Sequence, residues 1–188
     1  MIGYAMCGSF CTVEKALNQM RELVKMGNEI LPILSENLIN NDTRFGKGSE
    51  IVENVRLIAQ NEPVTTIAGA EPLGPKIRLE ALIIAPCTGN TLAKISSGIT
   101  DTCVTMAYKA HRRSLRPTII ALASNDALSV GLCNIGSMLQ KKNVFFVPMV
   151  QDSPTSKPNS LVCDYSQIPR ALTYALSGRQ ILPMFLTE

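Results

Sequence analysis

No apolar run in this chain approaches the roughly 18 residues needed to cross a bilayer as a helix, so a membrane span is not expected. Charge is modest as well. Only 18% of the 188 residues are charged and the formal net charge is +3, too little to imply nucleic acid. No Cys-x-x-Cys occurs, and Cys7 with Cys11 lacks a second pair at metal-ligand spacing, so neither a redox dithiol nor a structural metal is expected. There is no Gly-x-Gly-x-x-Gly, which speaks against a conventional NAD fingerprint in this chain. Histidine occurs once, as His111.

What is present suits a single domain with a full core. Hydrophobic residues make up 46% of the chain, enough to fold without staples. The scattered cysteines Cys7, Cys11, Cys87, Cys103, Cys133 and Cys163 are therefore expected as reduced thiols. Met1 to Met6 is apolar but carries no basic leader or cleavage pattern, and reads as a first strand in a cytoplasmic protein.

Strand and helix signals then alternate. Strands are expected at Ile2 to Met6, Ile30 to Leu34, Thr65 to Ile67, Leu79 to Ala85, Thr118 to Ala123 and Val144 to Val147, the last closing the sheet. Between them, Thr12 can cap a helix with apolar face Leu17, Met20 and Val24 and stop signal Gly27. Ser49 can cap a helix carrying Ile51, Val55 and Ile58. Val104 to Ala110 continues helically, Leu128, Leu132, Ile135 and Leu139 form a helical stripe, and Ile168 to Ser177, ended by Gly178, reads as a C-terminal helix. Loops are expected at Asn37 to Gly48 and at residues 151–160. The order predicts one α/β domain over residues 1–188, with a Rossmann-like, doubly wound, mostly parallel sheet flanked by helices.

The richest stretch is Pro86-Cys87-Thr88-Gly89-Asn90-Thr91, where a buried strand turns into a helix carrying Leu92 and Ile95, with Gly98-Ile99-Thr100-Asp101 just beyond. Such a loop lies at the carboxyl end of its strand, where backbone N–H groups and small side chains admit a planar ligand. It is also how many α/β proteins turn a corner. Gly8-Ser9-Phe10-Cys11-Thr12, between the first strand and helix, reads first as a helix cap and second as a phosphate site through Ser9 and Thr12. Asp101 is placed either to cap the next helix or to touch a ligand. His111 reads as a surface or helix-end residue. The cluster of His111, Arg112, Arg113 and Arg116 reads as a cationic helix end complementing the dipole, with an anionic substrate or partner as the second reading.

The motif Pro86-Cys87-Thr88-Gly89-Asn90-Thr91, with Ala93-Lys94-Ile95 and Gly98-Ile99-Thr100-Asp101, resembles the Pro-Ala-Ser-Ala-Asn-Thr motif of the flavoprotein family that includes peptidyl-cysteine and phosphopantothenoylcysteine decarboxylases. The resemblance covers most of the chain. It implies FMN as cofactor, with Gly8, Ser9, Thr12 and Ser35 at the phosphate, and Pro86, Cys87, Thr88, Asn90, Thr105, Ser124 and Asn125 around the flavin. Asn90 is the candidate catalytic residue, because its amide offers donors and an acceptor without charge. The family also implies a homo-oligomer, a trimer or a dodecamer built from trimers. No metal is implied.

Two departures from the decarboxylases stand out. Where they carry a catalytic His before the motif strand, this chain has Pro75, Lys76 and Arg78; where they carry a substrate clamp, it reads Ala123-Ser124-Asn125-Asp126. The variant spelling is similar to the dipicolinate-forming branch in spore-forming bacteria. That similarity implies a sporulation enzyme of the mother cell that oxidises a dihydrodipicolinate-level precursor to pyridine-2,6-dicarboxylate, acting with a separate companion subunit of the same synthase that binds NAD(P). Lys76, Arg78, Arg112 and Arg113 are the candidates for holding the small dicarboxylate. A stand-alone FMN decarboxylase or flavin prenyltransferase, and a non-catalytic scaffold with the flavin fold, are the alternatives.

Overall fold

The structure, a computed structural model, describes residues 1–186; the last two residues of the expected domain lie outside the described residues. The elements run β1 (Ile2–Met6), α1 (Val13–Lys25), β2 (Ile30–Leu34), α2 (Glu36–Ile39), α3 (Gly48–Ala59), α4 (Ile67–Ala70), β3 (Leu82–Thr88), α5 (Gly89–Ser96), α6 (Cys103–Arg112), β4 (Thr118–Ser124), α7 (Leu132–Leu139), β5 (Val144–Phe146), β6 (Met149–Val150), β7 (Leu161–Cys163) and α8 (Ile168–Leu176). The sheet order is β2-β1-β3-β4-β7-β6, with β5 also on β4. Pairings among β1 to β5 are parallel, as expected of strands joined through helices.

The parallel strands are buried on both faces and read as nearly continuous apolar runs. Against them α1 lays down Leu17, Met20 and Leu23, all buried, each such side chain contributing about 1.5–3 kcal/mol. Tyr4 in β1 donates its hydroxyl to the Ala16 carbonyl at 2.8 Å, fixing strand against helix. Gly27, at φ +85°, supplies the left-handed residue that ends the helix. Pro86 has no N–H to give the ladder, and the β3–β4 register shifts between Ile84 and Cys87.

Several expectations need correction. Thr65 to Ile67 is not a strand. Val64 makes a single bridge to Ile33, and Thr66 instead caps α4 by accepting the Gly69 N–H at 3.1 Å. Ser49 lies inside α3, whose entry is fixed by Asp42, which accepts the Gly48 N–H at 3.1 Å. Thr12 precedes α1 without a side-chain cap bond, since its hydroxyl donates to the Ser9 carbonyl at 2.9 Å. In α7 the buried residues are Ile135 and Met138, while Leu132 and Leu139 are exposed and Leu128 precedes the helix. Nor does β5 close the sheet. It covers only the Thr118–Ile120 half of β4's outer edge, leaving Ala123 and Ser124 to pair with β7, which runs antiparallel and carries β6. His111 is fully buried in the last turn of α6 rather than at the surface, with Nε2 3.0 Å from the Pro117 carbonyl oxygen.

Candidate functional site

Each of β1, β2 and β3 runs at its carboxyl end into a helical turn, and α6 begins beside them. Their first turns surround a cavity of about 640 Å³. Gly8 and Phe10 come from the turn before α1, Ser35 to Asn37 from the start of α2, Thr88 to Thr91 from the start of α5, and Asp101 and Thr102 from the start of α6. Helix N-termini carry the positive end of the dipole, which favours an anionic group, and side chains already take up several of their first N–H groups, the Glu36 carboxylate at α6 among them.

Hydrogen bonds hold this rim in place. Thr88 caps α5 by accepting the Thr91 N–H at 3.1 Å, and Thr91 donates its hydroxyl to the Cys7 sulfur at 3.3 Å. Burial, together with the nearby Glu36 charge, pushes the Cys7 thiol up to about 11 against the partial opposition of hydrogen bonds from the Thr91 side chain and the Thr88 backbone, so it remains neutral at ordinary pH. Thr102 and Thr105 cap α6 reciprocally, at 3.2 and 3.0 Å. The Glu36 carboxylate accepts the Cys103 N–H, the next one along. On the far wall Lys94 pairs with Asp101 at 2.8 Å, and the hydrogen bond from Lys94 holds the Asp101 carboxyl below its usual range.

Ser35 stands apart. It is 7% exposed, its N–H donates to the Met6 carbonyl at 3.0 Å, yet among the described residues its hydroxyl has no partner. A buried hydroxyl left unpaired costs about 1–3 kcal/mol, so one facing a cavity marks the place for a ligand oxygen.

Of the residues singled out in the sequence, Gly8, Ser35, Thr88 and Asn90 meet at this cavity. Ser9 and Thr12 bond to one another at 3.0 Å beside it, and Thr12 is buried. Cys87 is buried within β3, as is Pro86, and burial pushes the Cys87 thiol well up. Thr105 is spent on capping. Ser124 bonds Asp126 against Gly89, where a Cβ would stand 2.4 Å from the Ser124 oxygen, and Asn125 accepts from Ser160 at 3.4 Å. None of these lines the cavity. Asp101 does line it, but Thr102 is the cap of α6. Sequence reasoning gave no role to Glu36, Asn37 or Thr102 and carried Thr91 and Lys94 only as letters of the motif, although all but Lys94 stand in or next to the first turn of a helix at one sheet edge. Lys76, Arg78, Arg112 and Arg113 lie elsewhere and cannot hold a substrate in this cavity from within the same chain.

The flavoprotein family profile matches residues 2–167. The B subunit of dipicolinate synthase from Bacillus subtilis is 39% identical over 185 residues, covering 98% of this chain and 92% of that protein. The crystal structure of the corresponding B subunit from Bacillus halodurans superposes with a TM-score of 0.91 at 36% identity, covering 100% of this chain and 96% of that one. An FMN-dependent cysteine decarboxylase shares the fold, with a TM-score of 0.67 at 21% identity over 93% of this chain and 95% of that one. The chain belongs to the flavoprotein family.

Proposed function

We propose that this chain is the flavin-fold subunit of a two-subunit, dipicolinate-forming oxidoreductase, holding FMN in the cavity ringed by helix N-termini. The observation that carries the cofactor assignment is the buried Ser35 hydroxyl, which among the described residues has no partner and lines the cavity where the starts of several helices meet. A phosphomonoester would supply the missing acceptor oxygens beside Gly8, which lines the same cavity. The Thr88 to Asn90 turn then lies where the flavin ring would rest. The likeness to the B subunit of dipicolinate synthase over nearly the whole chain directs the reading toward dipicolinate rather than cysteine chemistry.

Aromatising a dihydropyridine dicarboxylate removes two electrons and two protons, and a flavin supplies a two-electron acceptor for that purpose. The chain's own residues orient rather than abstract. No imidazole lines the cavity among the described residues, and Cys7 is held as a neutral thiol. Asn90 is exposed at the rim with an uncharged amide able to give and accept hydrogen bonds. The formal charges on the lining are those of Lys94, Asp101 and Glu36, which sum to one negative charge. A dicarboxylate is therefore not neutralised by this chain alone, and its cations come from another subunit, either the NAD(P)-binding companion of the synthase or a second copy of this chain. Homo-oligomerisation fits the exposure of Val130, Leu176, Leu182 and Phe185. A cytoplasmic site in the sporulating mother cell completes the reading.

The test is an FMN titration followed by flavin fluorescence, then turnover of the dihydro precursor with and without the second subunit. Saturable binding near micromolar, about 8 kcal/mol, and turnover only in the mixture support the assignment. An unchanged fluorescence at saturating FMN overturns the cofactor, and full turnover by the lone chain overturns the division of labour.

A further inference from the structure

At the opposite end of the sheet, the segment before β3 and the segment before β4 enclose a second cavity of about 480 Å³, lined by Gly74, Pro75, Arg78, Arg113, Ser114 and Arg116. β3 is seven residues long, and at about 3.3 Å per residue this places the cavity on the order of 20 Å from the Asn90 rim. Three arginines line it and, among the described residues, no carboxylate does. None of the three arginines is in an ion pair among the described residues. The nearby acid, Glu80, is engaged by the N-terminal amine at 2.6 Å.

The backbone of the two segments and the Arg116 side chain are held in place, while Arg78 and Arg113 reach in from the exposed rim. Arg116 donates from Nη1 to the Leu79 carbonyl at 2.9 Å, tying the two segments together, and Ser114 donates to the His111 carbonyl at 2.7 Å. Gly74, at φ +111°, sits so close to α6 that a Cβ there would stand 2.3 Å from the Ala110 carbonyl oxygen. Leu115, at φ +54°, holds a left-handed conformation that non-glycine residues rarely adopt. Asn143 holds that turn by donating to the Leu115 carbonyl. Compensating a helix C-terminus takes about half a charge, and three converging arginines exceed that.

We propose that the Arg78, Arg113 and Arg116 cavity is a second binding site, separate from the flavin cavity, for a compact dianion bearing phosphate or paired carboxylate groups. A guanidinium offers a planar two-pronged donor that matches either oxyanion. A single monoanion would leave most of the positive charge uncompensated, and the cavity has the size of a small-molecule site. The site does not depend on the flavin assignment.

The test is calorimetric titration of the full chain with inorganic phosphate and, in a second arm, with malonate, both at fixed ionic strength. The comparison is with an Arg78→Gln, Arg113→Gln double variant, whose two side chains are exposed, so folding is retained. Saturable binding that weakens tenfold or more in the double variant, with FMN titration unchanged, is expected. The arm that binds more tightly identifies the oxyanion. Equal affinity in the double variant overturns the proposal. So does binding no stronger than that of chloride.

Discussion

Glu36 Oε1 accepts the backbone N–H of Cys103 at 3.0 Å, so the residue that opens α2 also caps α6, 67 positions further along the chain. The bond draws two helix N-termini together at the cavity and places a negative charge where the proposed phosphate would sit. Stability and anion affinity are therefore opposed at this side chain. Glu36→Gln retains an acceptor for Cys103 while removing the charge. It is expected to lower stability by about 0.5–1 kcal/mol through the lost charge–dipole interaction. FMN should bind more tightly, by about fivefold, for roughly 1 kcal/mol of relieved repulsion. Denaturant unfolding and flavin fluorescence read the two effects separately, and unchanged affinity would remove Glu36 from the phosphate's surroundings.

Ser35 makes the complementary case. Its hydroxyl contributes no hydrogen bond to the folded protein among the described residues. Ser35→Ala should leave stability unchanged or slightly raised. If the hydroxyl donates to a charged phosphate oxygen, FMN affinity should fall by roughly 10-fold or more, from about 1.5–3 kcal/mol. A variant with lower stability and normal flavin affinity would reverse the assignment.

The cysteines divide by burial. Cys11 and Cys133 are exposed, whereas Cys7, Cys87, Cys103 and Cys163 are buried. Burial first, with neighbouring negative charge, pushes the Cys103 thiol to about 12. Alkylation at pH 8 in the native state should add groups at Cys11 and Cys133 alone, with the other four reacting only after unfolding. Intact-mass measurement counts the adducts, and rapid native labelling of Cys7 would show that the cavity floor opens.

His111 gives a pH dependence. Burial lowers its imidazole from the ordinary 6.5, the Pro117 carbonyl opposing and Arg116 and Arg112 adding to the shift. From about pH 6.5 down to the folded value, the unfolded chain binds more protons than the folded protein, so stability is lost as pH falls through that window. The slope is at most about 1.4 kcal/mol per pH unit. Denaturant midpoints at pH 7.5, 6.5 and 5.5 should decline in the natural protein and less in His111→Gln. Equal slopes would assign the acid sensitivity to other groups.

The strand-to-helix junction of β3 and α5 was legible from the apolar run followed by Thr, Gly and Asn, but its bounds were not: the strand was expected over Leu79 to Ala85, whereas β3 runs from Leu82 through Pro86 to Thr88 and meets α5 directly at Gly89. The β6–β7 arm was not. Met149–Val150 and Leu161–Cys163 are too short to show a period, and their order follows from the edge that β5 leaves free. Glu36 and Thr102 entered the cavity through contacts between helix starts far apart in sequence, which no window of neighbouring residues contains. His111 does end its helix, as read, but its burial was not legible because it depends on the Pro117 carbonyl beyond that helix. The basic cluster was read first as a cationic helix end, which the last turn of α6 bears out, while its second use, as one of several candidates for a dicarboxylate, meets a position before β3 and β4 at the far end of the sheet from the cavity.

Asn90 carries the sharpest prediction. It stands in the first turn of α5, exposed at the cavity rim, while Thr88 and Thr91 make the cap. The fold therefore does not depend on its amide, and Asn90→Ala should change stability by no more than about 0.5 kcal/mol. If the amide holds the flavin or the substrate in the reacting geometry, turnover by the reconstituted two-subunit enzyme should fall by roughly 10² to 10³. Asn90→Asp adds a control, since it keeps the size but puts a negative charge beside a dicarboxylate, and should raise KM as well as lower kcat. A normal rate in Asn90→Ala, with folding and FMN affinity intact, would reduce this turn to architecture and move the chemistry to the companion subunit.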